Sequence, residues 1–134
     1  MTGPWTHPLV GVWTLLRFEV RTGDGRVALP FGPDATGLGV YTPGGLGVTH
    51  LTPTTGHNAH DAVAYAGRVT VDPRTRTLEQ HVDISTIPTW VGAVLRRSYT
   101  LDGDLLTLHH GPDTADGTAT HRSVAIWRRT ETFG

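Results

Sequence analysis

The chain has 134 residues, a formal net charge of -1 and no cysteine. That length is one domain's worth, read as a single domain over 1–134, with enough chain to bury a core without staples. The near-neutral balance supplies no field that would attract nucleic acid or an anionic membrane, and the lack of thiols excludes disulfides, thiolate metal ligation and a cysteine nucleophile.

All eleven basic residues are arginine, so a Schiff-base lysine is excluded too. The start MTGPWTHPLVG has no basic stretch leading into an apolar one, and nowhere do eighteen apolar residues run together. A cytoplasmic protein is expected.

Gly and Pro divide the sequence into short pieces rich in Val, Thr, Leu and Tyr, and no window of helix length keeps the i, i+3, i+4, i+7 spacing. A first long strand is predicted from Val10 to Arg21. Gly23-Asp24-Gly25 turns it back into Arg26–Leu29, and Pro30–Asp34 reads as a loop. A hairpin follows, Gly37–Thr42 and Leu46–Leu51 around Pro43-Gly44-Gly45, whose glycine pair suits a turn that needs positive φ. The segment Thr52–Ala62 has turn residues and no periodicity, and is expected to be a mobile loop at a barrel mouth.

Further strands are predicted over Val63–Val71, Thr77–Ile84, Ala93–Leu101, Leu105–His110 and about Thr118–Arg129, with Ile87–Trp90 as a connection. Eight to ten short antiparallel strands in meander order point to an all-β closed up-and-down barrel, because closure removes the edges such a sheet would expose. A two-sheet sandwich is the alternative.

The strand Gly11–Val20, GVWTLLRFEV, leaves one matter open. Its even positions Val12, Leu16, Phe18 and Val20 are apolar, whereas its odd positions run Trp13, Leu15, Arg17, Glu19. If the odd face is wet, this is an ordinary half-buried strand; if it is enclosed, Arg17 and Glu19 serve a ligand. A β-bulge would switch faces midway and enclose only part of the set.

The pair Gly11-x-Trp13 on the first strand, with Trp127-Arg128-Arg129 on the last, resembles the lipocalin signature. The resemblance implies that Trp13 closes one barrel end with Arg129 packed across its indole face, a favourable cation–π contact. Seven further segments are similar to the bacterial lipocalin-like domain family and span nearly the whole chain: Leu9–Trp13, Pro30–Pro33, Gly39–Pro43, Tyr65–Gly67, His81–Ser85, Pro88–Gly92 and Leu101–Leu108. A lipocalin-like barrel with a central cavity is implied, with Gly11, Trp13, Trp127 and Arg129 structural. Such barrels host carriers, binders and a few cofactor-free enzymes alike.

With Trp13 aimed inward, register carries Leu15, Arg17 and Glu19 inward as well. On the strand Thr77–Ser85, alternation alone puts Glu79, His81, Asp83 and Ser85 outside, while the resemblance favours an enclosed polar face. Tyr41, Tyr65 and Tyr99 share faces with small or apolar neighbours and are expected inside, and Trp90, in a connection, is read either as a lid over the mouth or as a cap on the core. His57-x-x-His60 lacks both a helix to fix its geometry and an acidic base, so no metal and no cofactor is expected.

The functional expectation is a hydrophobic small metabolite bound in the cavity and a cofactor-independent cyclisation, isomerisation or dehydration in secondary metabolism. In it His81, Glu19, Tyr65 and Arg97 are catalytic: Arg97 or Arg17 anchors a carbonyl or enolate oxygen, His81 or Glu19 moves the proton, and Tyr65 or Tyr41 donates. Arg17, Tyr41, His50, Asp83, Trp90 and Tyr99 line the ligand site. The rival expectation is a non-catalytic carrier of a lipophilic ligand. The inward-Trp13 arrangement also predicts that Val12, Leu16 and Phe18 find cover from a second copy in a homodimer, a terminal segment or the loop at 30–36.

Overall fold

The computed structural model describes residues 7–54, 62–111 and 122–133. Among them are ten strands: β1 Gly11–Arg21, β2 Val27–Ala28, β3 Thr36–Tyr41, β4 Leu46–Thr52, β5 Val63–Asp72, β6 Thr77–His81, β7 Ile84–Ser85, β8 Val94–Asp102, β9 Leu105–His110 and β10 Arg122–Glu131. Tight turns force sequence neighbours to pair antiparallel. The ladder runs β1-β3-β4-β5-β6-β8-β9-β10, and β10 pairs back onto β1. Eight strands therefore close a barrel, with β2 added to β1 and β7 to β5, and the sandwich alternative is set aside. The expected His57-x-x-His60 pair, most of the Thr52–Ala62 loop and the stretch Thr118–His121 lie outside the described residues.

Two turns show why these residues set the register. Gly45 adopts φ +93° and its N–H donates to the Thr42 carbonyl, a conformation that would strain a side chain. The two-residue turn Gly103-Asp104 sets Asp102 opposite Leu105, and every pair up that hairpin follows from it.

The first strand changes faces midway. Against β10, Trp13 pairs with Arg129 and Leu15 with Trp127, but the register then shifts and Arg17 pairs with Ile126, Phe18 with Ala125 and Glu19 with Val124. Leu16 is the residue gained by this bulge. Paired residues share a sheet face, so Trp13 and Leu15 point inward, then Phe18 points inward, while Arg17 and Glu19 point outward. The inward placement expected for Arg17 and Glu19 is thus corrected. Phe18 needs no cover from a second chain, because it packs edge-on against Phe31 of the loop after β2, with ring centroids 5.1 Å apart.

The predicted strand Thr77–Ile84 also breaks. Beyond His81 the Val82 N–H donates to Ala93, the Gly92 N–H donates to Val82, and the Asp83 N–H crosses to Ala66. The break follows from Gly67, since a Cβ there would collide with the His81 carbonyl. Before it, Leu78 and Gln80 face inward at 2 % and 3 % exposure, which leaves Glu79 and His81 outside. Buried Gln80 shares the two N–H groups of its Nε2 among the carbonyls of Gly47, Gly67 and His81, tying three strands where Gly47 leaves room for its side chain. Sequence alternation, which puts the polar residues outside, holds here over the enclosed reading.

Candidate functional site

One end of the barrel is plugged. Leu9 is fully buried across it, Trp13 Nε1 donates to the Leu9 carbonyl at 2.8 Å, and Arg129 Nη1 donates to the Val10 carbonyl at 2.9 Å. The Arg129 guanidinium lies 4.5 Å from the Trp13 ring centroid, a cation–π contact shielded from water. Arg129 Nε stands 3.2 Å from Asp104 Oδ1 without an aligned N–H, so this is an ion pair and not a hydrogen bond. Gly11 fits the closed end because its φ is +149° and a Cβ would meet the Glu131 carbonyl oxygen at 2.8 Å.

The plugged half is filled by Tyr41, Val69, Leu78, Tyr99 and Leu106 around Trp13. Burial pushes the Tyr41 hydroxyl far above the ordinary phenol range. The Tyr99 hydroxyl is also pushed up by burial, beneath the β5–β6 turn that carries Asp72 and Arg76. Tyr41 is thereby a poor proton donor at neutral pH and, like Tyr99, lies outside the cavity lining.

The other half is hollow. A cavity of about 330 Å³ opens there, walled by Phe18, Phe31, Leu51, Val63, Leu95 and Leu108, with the Trp127 ring also in its wall. Strand parity explains the set: Leu95, Arg97 and Tyr99 alternate inward on β8, Leu106, Leu108 and His110 on β9, and Ser123, Ala125 and Trp127 on β10. Phe31 reaches the wall because its carbonyl accepts the Thr54 N–H at 2.7 Å, which pins the loop to the end of β4. At the rim, Pro88–Trp90 form a short 3₁₀ turn that sets Trp90 edge-on to Tyr65, ring centroids 5.8 Å apart.

The polar groups in the wall are Thr49, Tyr65, Arg97, His110 and Ser123. Arg97 Nη1 stands 2.9 Å from His110 Nδ1. Nδ1 also lies 3.2 Å from the Arg96 carbonyl, which can only accept; the shorter, charge-assisted contact to the guanidinium, which can only donate, favours Nδ1 as acceptor with the proton of a neutral ring on Nε2. No Asp or Glu lines the cavity among the described residues. Nor do three or more His, Asp or Glu side chains cluster there as a metal site.

Of the residues expected at the site, the structure brings Tyr65, Arg97 and Trp90 together in the wall, with Trp127 beside them. It places the others elsewhere. Arg17, half exposed, and Arg21 flank Glu19 on the outer surface, their Nε atoms 2.6 and 2.5 Å from its two oxygens. Glu19 is 4 % exposed because its own arginines cover it, not because it is sunk in the core. The hydrogen bond from Arg17 foremost, opposed by desolvation and reinforced by Arg21, holds its carboxyl below the usual range. His81 and exposed Asp83 are outside, and His50 faces out with Nε2 2.8 Å from Thr52 Oγ1.

Phe18, Phe31, His110 and Ser123 are the wall residues that sequence reasoning missed. A signal for the first was present: the apolar parity of β1 switches from Trp13 and Leu15 to Leu16, Phe18 and Val20, which marks the bulge. His110 was legible from the two-residue turn, since counting back from Asp102 opposite Leu105 sets it opposite Arg97.

A family model described as a lipocalin-like domain matches residues 10–59 and 56–130. Among curated proteins none matches the chain significantly. A solved structure titled as that of a redesigned beta barrel matches over 92 % of each chain, with 14 % identity and a TM-score of 0.48.

Proposed function

The chain belongs to the lipocalin-like domain family, and on that premise we propose that it binds a hydrophobic small molecule in the open half of its barrel. The cavity carries the proposal: about 330 Å³ is at the small end of what ligand sites occupy, and its walls are mostly aliphatic and aromatic. The plugged half supplies rigidity, and the open half supplies access. Trp90 at the rim and Tyr65 beneath it provide aromatic faces that cover a bound body.

Titration with N-phenylnaphthylamine, a neutral apolar fluorophore, tests this. One equivalent should bind with enhanced emission, and Ala125→Phe, which grows a ring into the space, should abolish binding while the far-UV circular dichroism stays unchanged. Absence of binding by the native protein would sink the proposal.

A second reading follows from His110 beside Arg97. A fixed cation next to an imidazole can hold an enolate oxygen while the ring moves a proton, which suits cyclisation, isomerisation or dehydration without a cofactor. In this reading Arg97 anchors, His110 transfers and Tyr65 donates, whereas Glu19 and His81 are too far outside to take part. Turnover of the ligand that co-purifies, lost in His110→Ala while its binding persists, would favour conversion over carriage.

A further inference from the structure

We infer that the cavity selects apolar acids, receiving a carboxylate or a similarly delocalised oxyanion on Arg97, over apolar alcohols and amines of the same size. The inference rests on the cavity-binding reading above and adds the chemistry of the group recognised.

Charge comes first. The ion pairs among the described residues engage Arg17, Arg21, Arg26, Arg96 and Arg129 with carboxylates, but not Arg97. Arg97 spends Nη1 on the neutral acceptors His110 Nδ1 and the Arg96 carbonyl, and its Nη2 and Nε have no partner among the described residues. Half-buried between Leu95 and Leu108 in an apolar wall, this cation is screened less than one in open water. A bound anion offsets that uncompensated charge, and a bound ammonium adds to it.

Donor polarity comes second. With Nδ1 accepting from Arg97, the shorter of its two contacts at 2.9 Å against 3.2 Å to the Arg96 carbonyl, the other nitrogen of a neutral His110 ring is a donor. Trp127, 3 % exposed, carries a buried Nε1–H with no partner among the described residues. Its opposite ring edge packs near Gly39, so the N–H edge is turned away from β3. Every nitrogen in the wall thus offers hydrogen, and Thr49, Tyr65 and Ser123 have hydroxyls that rotate to do the same. A group made only of acceptors fits this set, and a planar carboxylate matches the guanidinium fork.

The test displaces N-phenylnaphthylamine from the whole protein at neutral pH with decanoate, decanol and decylamine. Decanoate should compete at a concentration about tenfold or more below that of decanol, as expected for a charge-assisted hydrogen bond in a partly dry site, and decylamine should be the weakest. In Arg97→Met the acid and the alcohol should converge, and Arg97→Lys, which restores charge without the fork, should regain part of the gap. Binding of the fluorophore with equal displacement by acid and alcohol overturns the inference while leaving the cavity reading intact. An acid preference that persists in Arg97→Met also overturns it, because another group must then hold the anion.

Discussion

Arg97 on β8 and His110 on β9 stand directly across the Gly103-Asp104 hairpin, Nη1 to Nδ1 2.9 Å, on the inner face of the barrel, whereas Glu19 points outward and Arg129 caps the closed end. Two contacts compete for Nδ1, the guanidinium at 2.9 Å and the Arg96 carbonyl at 3.2 Å. The guanidinium keeps its protons and stands closer, which favours a neutral ring that presents its lone pair at Nδ1.

That arrangement predicts a tautomer. Nitrogen chemical shifts of neutral His110 should show the Nε2–H form as dominant, and Arg97→Met should allow the two tautomers to mix. A dominant Nδ1–H form in the native protein would mean that the Arg96 carbonyl, and not Arg97, sets the tautomer.

The closed end predicts a stability effect without a binding effect. Arg129→Met removes the cation over Trp13, the hydrogen bond to Val10 and the ion pair to Asp104. A loss of about 1–3 kcal/mol in urea denaturation is expected, the cation–π contact and the orphaned Val10 carbonyl contributing most. Fluorophore affinity should stay as in the native protein, since the open half is untouched.

Outside the barrel, Glu19→Gln and His81→Ala should leave ligand affinity unchanged. Glu19 accepts from two arginines that are themselves 50 % and 43 % exposed, so solvent screens the triad and its loss should cost no more than about 1 kcal/mol. Because the Glu19 carboxyl is held below the ordinary glutamate value of 4.5, its contribution is present above that pH and fades as pH falls through the depressed value. A Glu19→Gln protein should accordingly lose less stability than the native one on acidification.

The plug predicts acid sensitivity at a milder pH. His7 accepts the Leu9 N–H at Nδ1, lies edge-on to Tyr41 at 6.3 Å, and is driven below the ordinary histidine value of 6.5 by burial. The unfolded chain therefore takes up a proton first, and stability should decline as pH falls from 6.5 toward the lowered folded value. His7→Asn, whose carbonyl oxygen can still accept the Leu9 N–H, should flatten the thermal midpoint against pH in that interval. An unchanged slope would remove His7 as the cause.

Much of this molecule is local, and local features are legible in sequence. Glycine-bearing turns such as Pro43-Gly44-Gly45 and Asp102-Gly103-Asp104 dictate hairpin positions, alternation dictates strand character, and strands in unbroken meander order have a closed ring as the solution that leaves no edge. The Gly11-x-Trp13 and Arg129 pairing was legible only through the resemblance to lipocalins, because it joins the first and last strands, which no local feature brings together. Of the site, Tyr65 was within reach because its strand neighbours mark an inner face, Trp90 because it sits in a connection near a strand end, and Arg97 as a candidate anchor for an oxyanion.

Only the tertiary structure decided which side of β1 and β6 meets the cavity. A strand's side chains repeat every two residues, so one inserted residue exchanges inside for outside without altering composition or local propensity. The bulge at Leu16 does so for Phe18 and Glu19. The close approach of His81 to Gly67 likewise ends β6 where alternation alone continues. Each of those events is set by a neighbouring strand's register and backbone bulk, quantities that exist only once the strands have met.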